Sequence, residues 1–69
     1  MDIKWVDGFM IKVSFDGCSA TILANREGLL SLAEQLTALA EEAPGSHIHY
    51  DEYNSLEESS SEMIIEKIG

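Results

Sequence analysis

Three side chains of the types that bind metals or transfer protons occupy alternate positions in the third quarter of the chain. They are His47, His49 and Asp51. Alternate residues of a β-strand project from one face, and each step of two residues covers about 7 Å. Two imidazoles and a carboxylate at this spacing can converge on a metal ion, and histidines also titrate near neutral pH. The pattern His-x-His-x-Asp is short, and a polar strand face with hydrogen-bonded histidines is the simpler interpretation, so metal binding is not favoured.

A helix predicted over Asn25–Ala43 precedes this strand and must position it. Apolar side chains recur there at three- and four-residue spacing, which predicts one buried stripe. The stripe consists of Leu29, Leu32, Ala33, Leu36, Leu39, Ala40 and Ala43. Asn25 is suited to cap the first turn, and Gly28, which lowers helix propensity, predicts the close approach of a neighbouring backbone. Pro44-Gly45 ends the helix.

Alternating apolar residues and turn signals predict four strands in two hairpins. The strands are Phe9–Phe15, Cys18–Ala24, His47–Asp51 and Glu62–Ile68. With the helix between the hairpins, the predicted fold class is α+β in the order β-β-α-β-β. We expect a four-stranded, largely antiparallel sheet with the helix on one face. The opposite face must then be wet or covered by another chain.

The alternation within the strands also predicts which side chains are buried. In the first strand these are Phe9, Ile11, Val13 and Phe15, and in the third they are Ile48 and Tyr50. Asp16-Gly17 favours a tight turn between the first two strands. The segment Glu52–Ser61 is rich in Ser and Glu and is predicted to be a loop, with its one apolar residue, Leu56, packed onto the core.

Chain length and composition predict a single domain over residues 1–69, with residues 1–8 as a tail or a short extra strand. One Cys excludes an internal disulfide, and no zinc-finger spacing is present. No apolar run is long enough for a membrane span, and no secretory signal pattern is present, so we expect a cytoplasmic protein. No nucleophile–base or phosphate-loop signature occurs, which predicts a protein without enzymatic activity and without a cofactor.

The charge distribution is strongly one-sided. Thirteen acidic residues face four basic ones, for a net charge of −9, and Glu27–Glu66 contains no Lys or Arg. Such a chain is repelled by nucleic acid and by anionic membranes, and it is attracted to basic proteins. Negative charge also keeps small domains soluble, so composition by itself leaves both explanations open.

Several segments in a fixed order resemble the immunity protein 32 family. They are Asn25-Arg26-Glu27-Gly28-Leu29, the Leu- and Ala-rich helix, Gly45-x-His47-x-His49-x-Asp51, Leu56 and Ser61-Glu62-Met63-Ile64-Ile65. The resemblance runs from the second strand to the end of the sequence. It implies a small α+β protein, without enzymatic activity, that binds and neutralises a cognate toxin of a bacterial polymorphic toxin system.

A toxin that acts on nucleic acid carries basic surface, and an inhibitor can match that surface with acids. Glu41 and Glu42 support this idea, because they oppose the helix dipole and so do not serve the helix. The predicted toxin-binding surface consists of Glu41, Glu42, His47, His49, Asp51, Glu52, Glu57 and Glu58. Two alternatives stay open: a small metal-binding domain that uses His47, His49 and Asp51, and a structural domain that forms a homodimer through its open sheet face.

Overall fold

The computed structural model describes residues 1–69 and contains one helix and four strands. In chain order they are β1 (Ile11–Phe15), β2 (Ala20–Ala24), α1 (Arg26–Ala40), β3 (His47–Tyr50) and β4 (Met63–Glu66). This order confirms the predicted α+β class and the sequence β-β-α-β-β. The helix ends three residues earlier than predicted, and it is neither long nor apolar enough to cross a membrane.

The strands form two separate antiparallel sheets and not the single four-stranded sheet that the sequence predicts. β1 pairs with β2 from Ile11 opposite Ala24 onward, and β3 pairs with β4 from His47 opposite Glu66 onward. The open four-stranded face, through which the structural-domain alternative placed a homodimer, is therefore absent in that form.

The segment that precedes β4 explains why the two sheets do not join. It runs beside β1, where the Glu57 N–H donates to the Ile11 carbonyl and the Ser61 N–H donates to the Val13 carbonyl. Between these two bonds the chain turns, and Ser59 has a φ of 70°. Because the backbone leaves the extended conformation here, no continuous ladder connects β1 to the second sheet.

The N-terminal end of α1 is fixed to the first hairpin by Asn25. Its Oδ1 accepts hydrogen bonds from Gly28 N at 2.8 Å and from Met10 N at 2.9 Å, and its Nδ2 donates to the Gly8 carbonyl. The first of these bonds confirms the predicted helix cap. A Cβ at Gly28 would lie 2.6 Å from the Met10 carbonyl oxygen, so the predicted close backbone approach is also confirmed.

The core draws on both sheets, the helix and the long loop. Its buried apolar residues are Ile11, Val13, Leu32, Leu39, Ile48, Tyr50 and Leu56. The predicted burial of Leu56 in the loop is confirmed, as is that of Ile48 and Tyr50. Phe15, in contrast, is 66% exposed, because it lies at the turn end of its hairpin, four residues beyond the pair that adjoins α1.

The buried face of α1 is rotated away from the predicted stripe. It consists of Gly28, Ser31, Leu32, Gln35 and Leu39. Leu29 and Leu36 are instead 56% and 42% exposed, and Ala33, Ala40 and Ala43 are exposed as well. The prediction counted only apolar residues as buried, whereas two polar residues occupy the centre of this face.

Those two polar residues hold the N-terminal segment against the helix. The Val6 N–H donates to Ser31 Oγ at 2.8 Å, and Gln35 Nε2 donates to the Lys4 carbonyl at 2.8 Å. Residues 1–8 contain no strand, yet Trp5 stacks on Phe9 with ring centroids 4.4 Å apart. Buried polar groups are stable only when they are hydrogen-bonded, and this segment supplies the partners of Ser31 and Gln35.

Candidate functional site

The exposed face of β3 carries the predicted histidines, which alternate with buried Ile48 and Tyr50. His49 Nε2 lies 3.1 Å from Glu62 Oε2 and 3.8 Å from Asp51 Oδ2. His47 is not part of this cluster, and its Nδ1 lies 3.4 Å from the Gly45 carbonyl oxygen. The structure therefore brings together two of the three residues in the His-x-His-x-Asp pattern and adds the carboxylate of Glu62, the residue directly before β4.

Glu62 is a site residue that sequence reasoning missed, although a signal for it exists. In the β3–β4 register, His47 faces Glu66 and Tyr50 faces Met63. The same register continued by one residue places Asp51 opposite Glu62. Cross-strand neighbours at this position interact directly, so pairing the two predicted strands as a closed hairpin would have indicated the cluster.

A turn fixes Asp51 in place and orients its carboxylate. Asp51 Oδ1 accepts hydrogen bonds from the backbone N–H groups of Tyr53 and Asn54, at 2.9 and 3.0 Å. The Asn54 side chain in turn accepts from Asp51 N and donates to the His49 carbonyl. Oδ1 is thus occupied by the turn, and Oδ2 is the oxygen that lies near His49.

The remaining acids of the long loop differ in how firmly they are held. Glu52 Oε2 accepts a hydrogen bond from Ser59 N at 2.9 Å, which ties the start of the loop to its end. The carboxylates of Glu57 and Glu58 are exposed and belong to none of the ion pairs of the molecule. These two side chains are therefore free to meet a binding partner.

The free carbonyl groups at the C-terminal end of α1 bond to a cation, Lys67, that the sequence did not indicate. Lys67 Nζ donates to the carbonyls of Ala40 and Glu42, at 2.8 and 2.7 Å. A cation in this position complements the negative end of the helix dipole. Lys67 therefore offsets the unfavourable placement of Glu41 and Glu42. It lies 25 residues beyond Glu42, so no local pattern could have indicated it.

The eight residues predicted to bind a toxin divide into two groups on the surface. The helix-end group is Glu41, Glu42 and His47, and the loop-end group is His49, Asp51, Glu52, Glu57 and Glu58. The backbone N–H of Lys67 donates to the Ser46 carbonyl, while its side chain bonds to the end of α1. The helix-end group therefore lies at one end of the β3–β4 sheet. His47 and Asp51 are about 13 Å apart along the strand direction. An interface of about 800 Å² per partner is wide enough to include both groups.

An apolar depression adjoins the loop-end group. Met10 and Leu23 line it, with 54% and 58% of their surface exposed, and Glu57 lies at its rim. Protein interfaces combine an apolar centre with a polar rim, and this part of the surface offers both.

The acids of this region have no basic side chain as partner. The one contact within ion-pair distance between a Lys or Arg and a carboxylate joins Arg26 to Glu27 at 3.6 Å. Lys67 is engaged with backbone carbonyls, and His49 is the only other positive or titratable partner of a carboxylate. Apart from the contacts of His49 with Asp51 and Glu62, no basic side chain forms an ion pair with the acids of the two groups.

Two groups have clearly shifted pKa values, and both lie outside the site. Backbone hydrogen bonds from Ser19 and Cys18 lower the pKa of Asp16 below its ordinary value of 3.8. Burial raises the pKa of Tyr50 above 10.0, and its hydroxyl donates to Gln35 Oε1 at 2.7 Å. Asp16 thus stabilises the first turn, and Tyr50 stabilises the core.

Comparison with known proteins identifies a family. No curated protein and no solved structure matches the chain. The family model described as Immunity protein 32 matches residues 19–68, which is well over half of the chain. The match includes β2, α1, β3, β4 and both acidic groups, whereas β1 and the N-terminal segment precede it. It confirms the resemblance that the sequence motifs indicated, and the chain belongs to the immunity protein 32 family.

Proposed function

We propose that this protein is an immunity protein, without enzymatic activity, that binds and neutralises a cognate basic toxin of a bacterial polymorphic toxin system. Membership of the immunity protein 32 family supports the general role. The observation that carries the binding surface is the set of acids from Glu41 to Glu66, none of which has a Lys or Arg partner in the chain. These carboxylates keep their charge available for a basic partner.

In this proposal the two kinds of surface have different tasks. The acids attract the toxin and orient it, because complementary charge raises the association rate and selects the correct partner. The depression lined by Met10 and Leu23 supplies the apolar contact that slows dissociation. Neutralisation then follows from occlusion, since the acids cover the basic surface with which the toxin would contact its own target.

Reversing two charges in the loop-end group tests the proposal. The Glu57→Lys/Glu58→Lys variant should bind the cognate toxin at least about tenfold more weakly than the wild type. It should also show a flatter dependence of affinity on salt, because fewer opposite charges meet in the complex. Both side chains are exposed and unpaired, so the fold should persist. Calorimetric titration at several salt concentrations measures both quantities.

A matched control separates a local surface from net charge. The Asp2→Lys/Glu34→Lys variant makes the same change of charge at a separate depression beside α1 and the N-terminal segment. We expect its toxin affinity to fall much less. Equal losses in the two double variants would show that net charge alone determines binding, and an unchanged affinity of Glu57→Lys/Glu58→Lys would remove the loop from the interface.

A further inference from the structure

His49, Asp51 and Glu62 each offer one ligand atom to a common point at the loop end of the β3–β4 hairpin. The three atoms lie within 4.8 Å of one another. We propose that these residues form a binding site for a divalent transition-metal cation such as Zn²⁺. This inference goes beyond the immunity function, because it concerns the protein without its toxin.

The distances suit a small four-coordinate ion. Zn²⁺ binds imidazole nitrogen and carboxylate oxygen at about 2.0–2.2 Å, so two ligand atoms of a tetrahedral site are about 3.3 Å apart. The observed separations from His49 Nε2, 3.1 Å to Glu62 Oε2 and 3.8 Å to Asp51 Oδ2, lie on either side of that value. Three protein ligands leave the fourth position to water.

The surrounding hydrogen bonds hold two of the ligands before any ion binds. Backbone N–H groups occupy Asp51 Oδ1, so that Oδ2 is the oxygen directed toward His49. Asn54 bonds to the backbone of both His49 and Asp51 and keeps them in register. Such outer contacts orient metal ligands and raise affinity. Glu62, whose side chain is 61% exposed, can adjust to complete the site.

The charge and the donor set also favour a cation of this class. A single imidazole with two carboxylates suits Zn²⁺ or a similar first-row ion. The two carboxylates have no Lys or Arg partner, so an incoming cation displaces no basic side chain. Metal binding needs a lone pair on Nε2 of His49, so any proton on that atom is released to solvent when the ion binds.

A bound ion would join the two ends of the long loop. Asp51 precedes the loop and Glu62 follows it, so one ion bridging them closes residues 52–61 into a ring. The loop contains Glu57 and Glu58, and a cross-link at its base would restrict its motion. The site would therefore stabilise the free protein.

Calorimetric titration of the full chain with ZnCl₂ at neutral pH tests this site. We expect saturable binding of one ion per chain to the wild type. His49→Ala and Glu62→Gln should each weaken it by more than about tenfold, because each removes a ligand. The matched control is His47→Ala, an exposed histidine on the same strand face that contacts neither acid, and it should bind Zn²⁺ as the wild type does.

Two further measurements complete the test. Zn²⁺ should raise the Tm of the wild type and of His47→Ala, since a ligand that binds only the folded state stabilises it. The Tm of His49→Ala should stay unchanged, because that variant lacks one of the metal ligands. Cys18→Ser should bind Zn²⁺ normally, because this exposed thiol is not in the cluster. The site is overturned by a wild type that binds no ion saturably, or by a loss in His47→Ala or Cys18→Ser as large as in His49→Ala. None of these measurements involves the toxin, so they can fail without affecting the immunity proposal.

Discussion

The two hairpins are attached to opposite ends of α1, and they are attached in different ways. The first uses Asn25, the residue directly after β2, whose side chain reaches Met10 and Gly8. The second uses Lys67, which donates to carbonyls at the far end of the helix, 25 and 27 residues back along the chain. The first attachment spans 15 and 17 residues and starts from the helix cap itself, whereas the second starts from the residue directly after β4. Each satisfies free backbone groups at a helix end.

The turns of the two hairpins also differ in length and in what holds them. The first closes over a short turn in which the Asp16 carboxylate accepts hydrogen bonds from Cys18 N and Ser19 N. The second closes over a long loop that depends on burial of Leu56 and on bonds to Asp51 and Glu52. A short turn is specified by its own residues, whereas a long loop needs the rest of the fold. Substitutions in the second hairpin, whose loop carries most of the loop-end group, should therefore lower stability more than substitutions in the first.

The largest expected effect comes from emptying the core position of the long loop. Leu56→Ala should lower the free energy of unfolding by about 3 kcal/mol, because it removes a buried side chain and leaves a cavity. Leu23→Ala in the first hairpin removes the same atoms from a side chain that is 58% exposed, and should cost less than about 0.5 kcal/mol. Urea unfolding measures both. Similar losses would contradict the burial of Leu56 in the core.

A smaller effect is expected where the first hairpin meets the helix. Gly28→Ala should lower the free energy of unfolding by about 2 kcal/mol, since its Cβ would lie 2.6 Å from the Met10 carbonyl oxygen and 2.9 Å from Ile11 Cγ1. Glycine-to-alanine changes inside helices ordinarily stabilise by about 1 kcal/mol. The direction of the change in Tm therefore decides between the two effects. A higher Tm for Gly28→Ala would show that the helix and the backbone at Met10 do not approach so closely.

The smallest loss of stability is expected where Lys67 attaches the second hairpin to the helix. Lys67→Met keeps most of the side chain but removes both hydrogen bonds to the helix end, and should cost about 1 kcal/mol. Lys4→Met changes the charge equally at an exposed side chain and should be nearly neutral. Chemical denaturation of the two variants gives the comparison. A cost at Lys67 no greater than at Lys4 would mean that this attachment adds nothing to stability.

Features that depend on neighbouring residues could be predicted from the sequence. The helix cap at Asn25 and the turn at Asp16-Gly17 rest on local chemistry. A glycine inside a helix likewise indicates the close approach at Gly28, although the backbone that it meets, at Met10, is distant in sequence. Leu56 was predictable as well, because a lone apolar residue in a polar loop has few places to go other than the core. The rotation of the helix was not, since Ser31 and Gln35 become buried only through partners in the N-terminal segment.

The candidate site shows the same limit. His49 and Asp51 were predicted to share a face because strand geometry alone requires it. That His47 lies outside the cluster could not be predicted, because the cluster forms around the contact of His49 with Glu62 from the facing segment. The division of the acids into two groups also depends on how the sheet and the loop are placed.

The stacked pair of Trp5 and Phe9 contains the only tryptophan of the chain, which makes this contact observable by fluorescence. Trp5 lies against Phe9, which leads into the first hairpin, and meets the ring of Tyr50, in the second hairpin, edge-on at 6.2 Å. Its fluorescence therefore reports on the contact between both hairpins and the N-terminal segment, without any label. If fluorescence and circular dichroism follow one transition during denaturation, the hairpins unfold together; an earlier fluorescence change means that this junction opens while the helix persists.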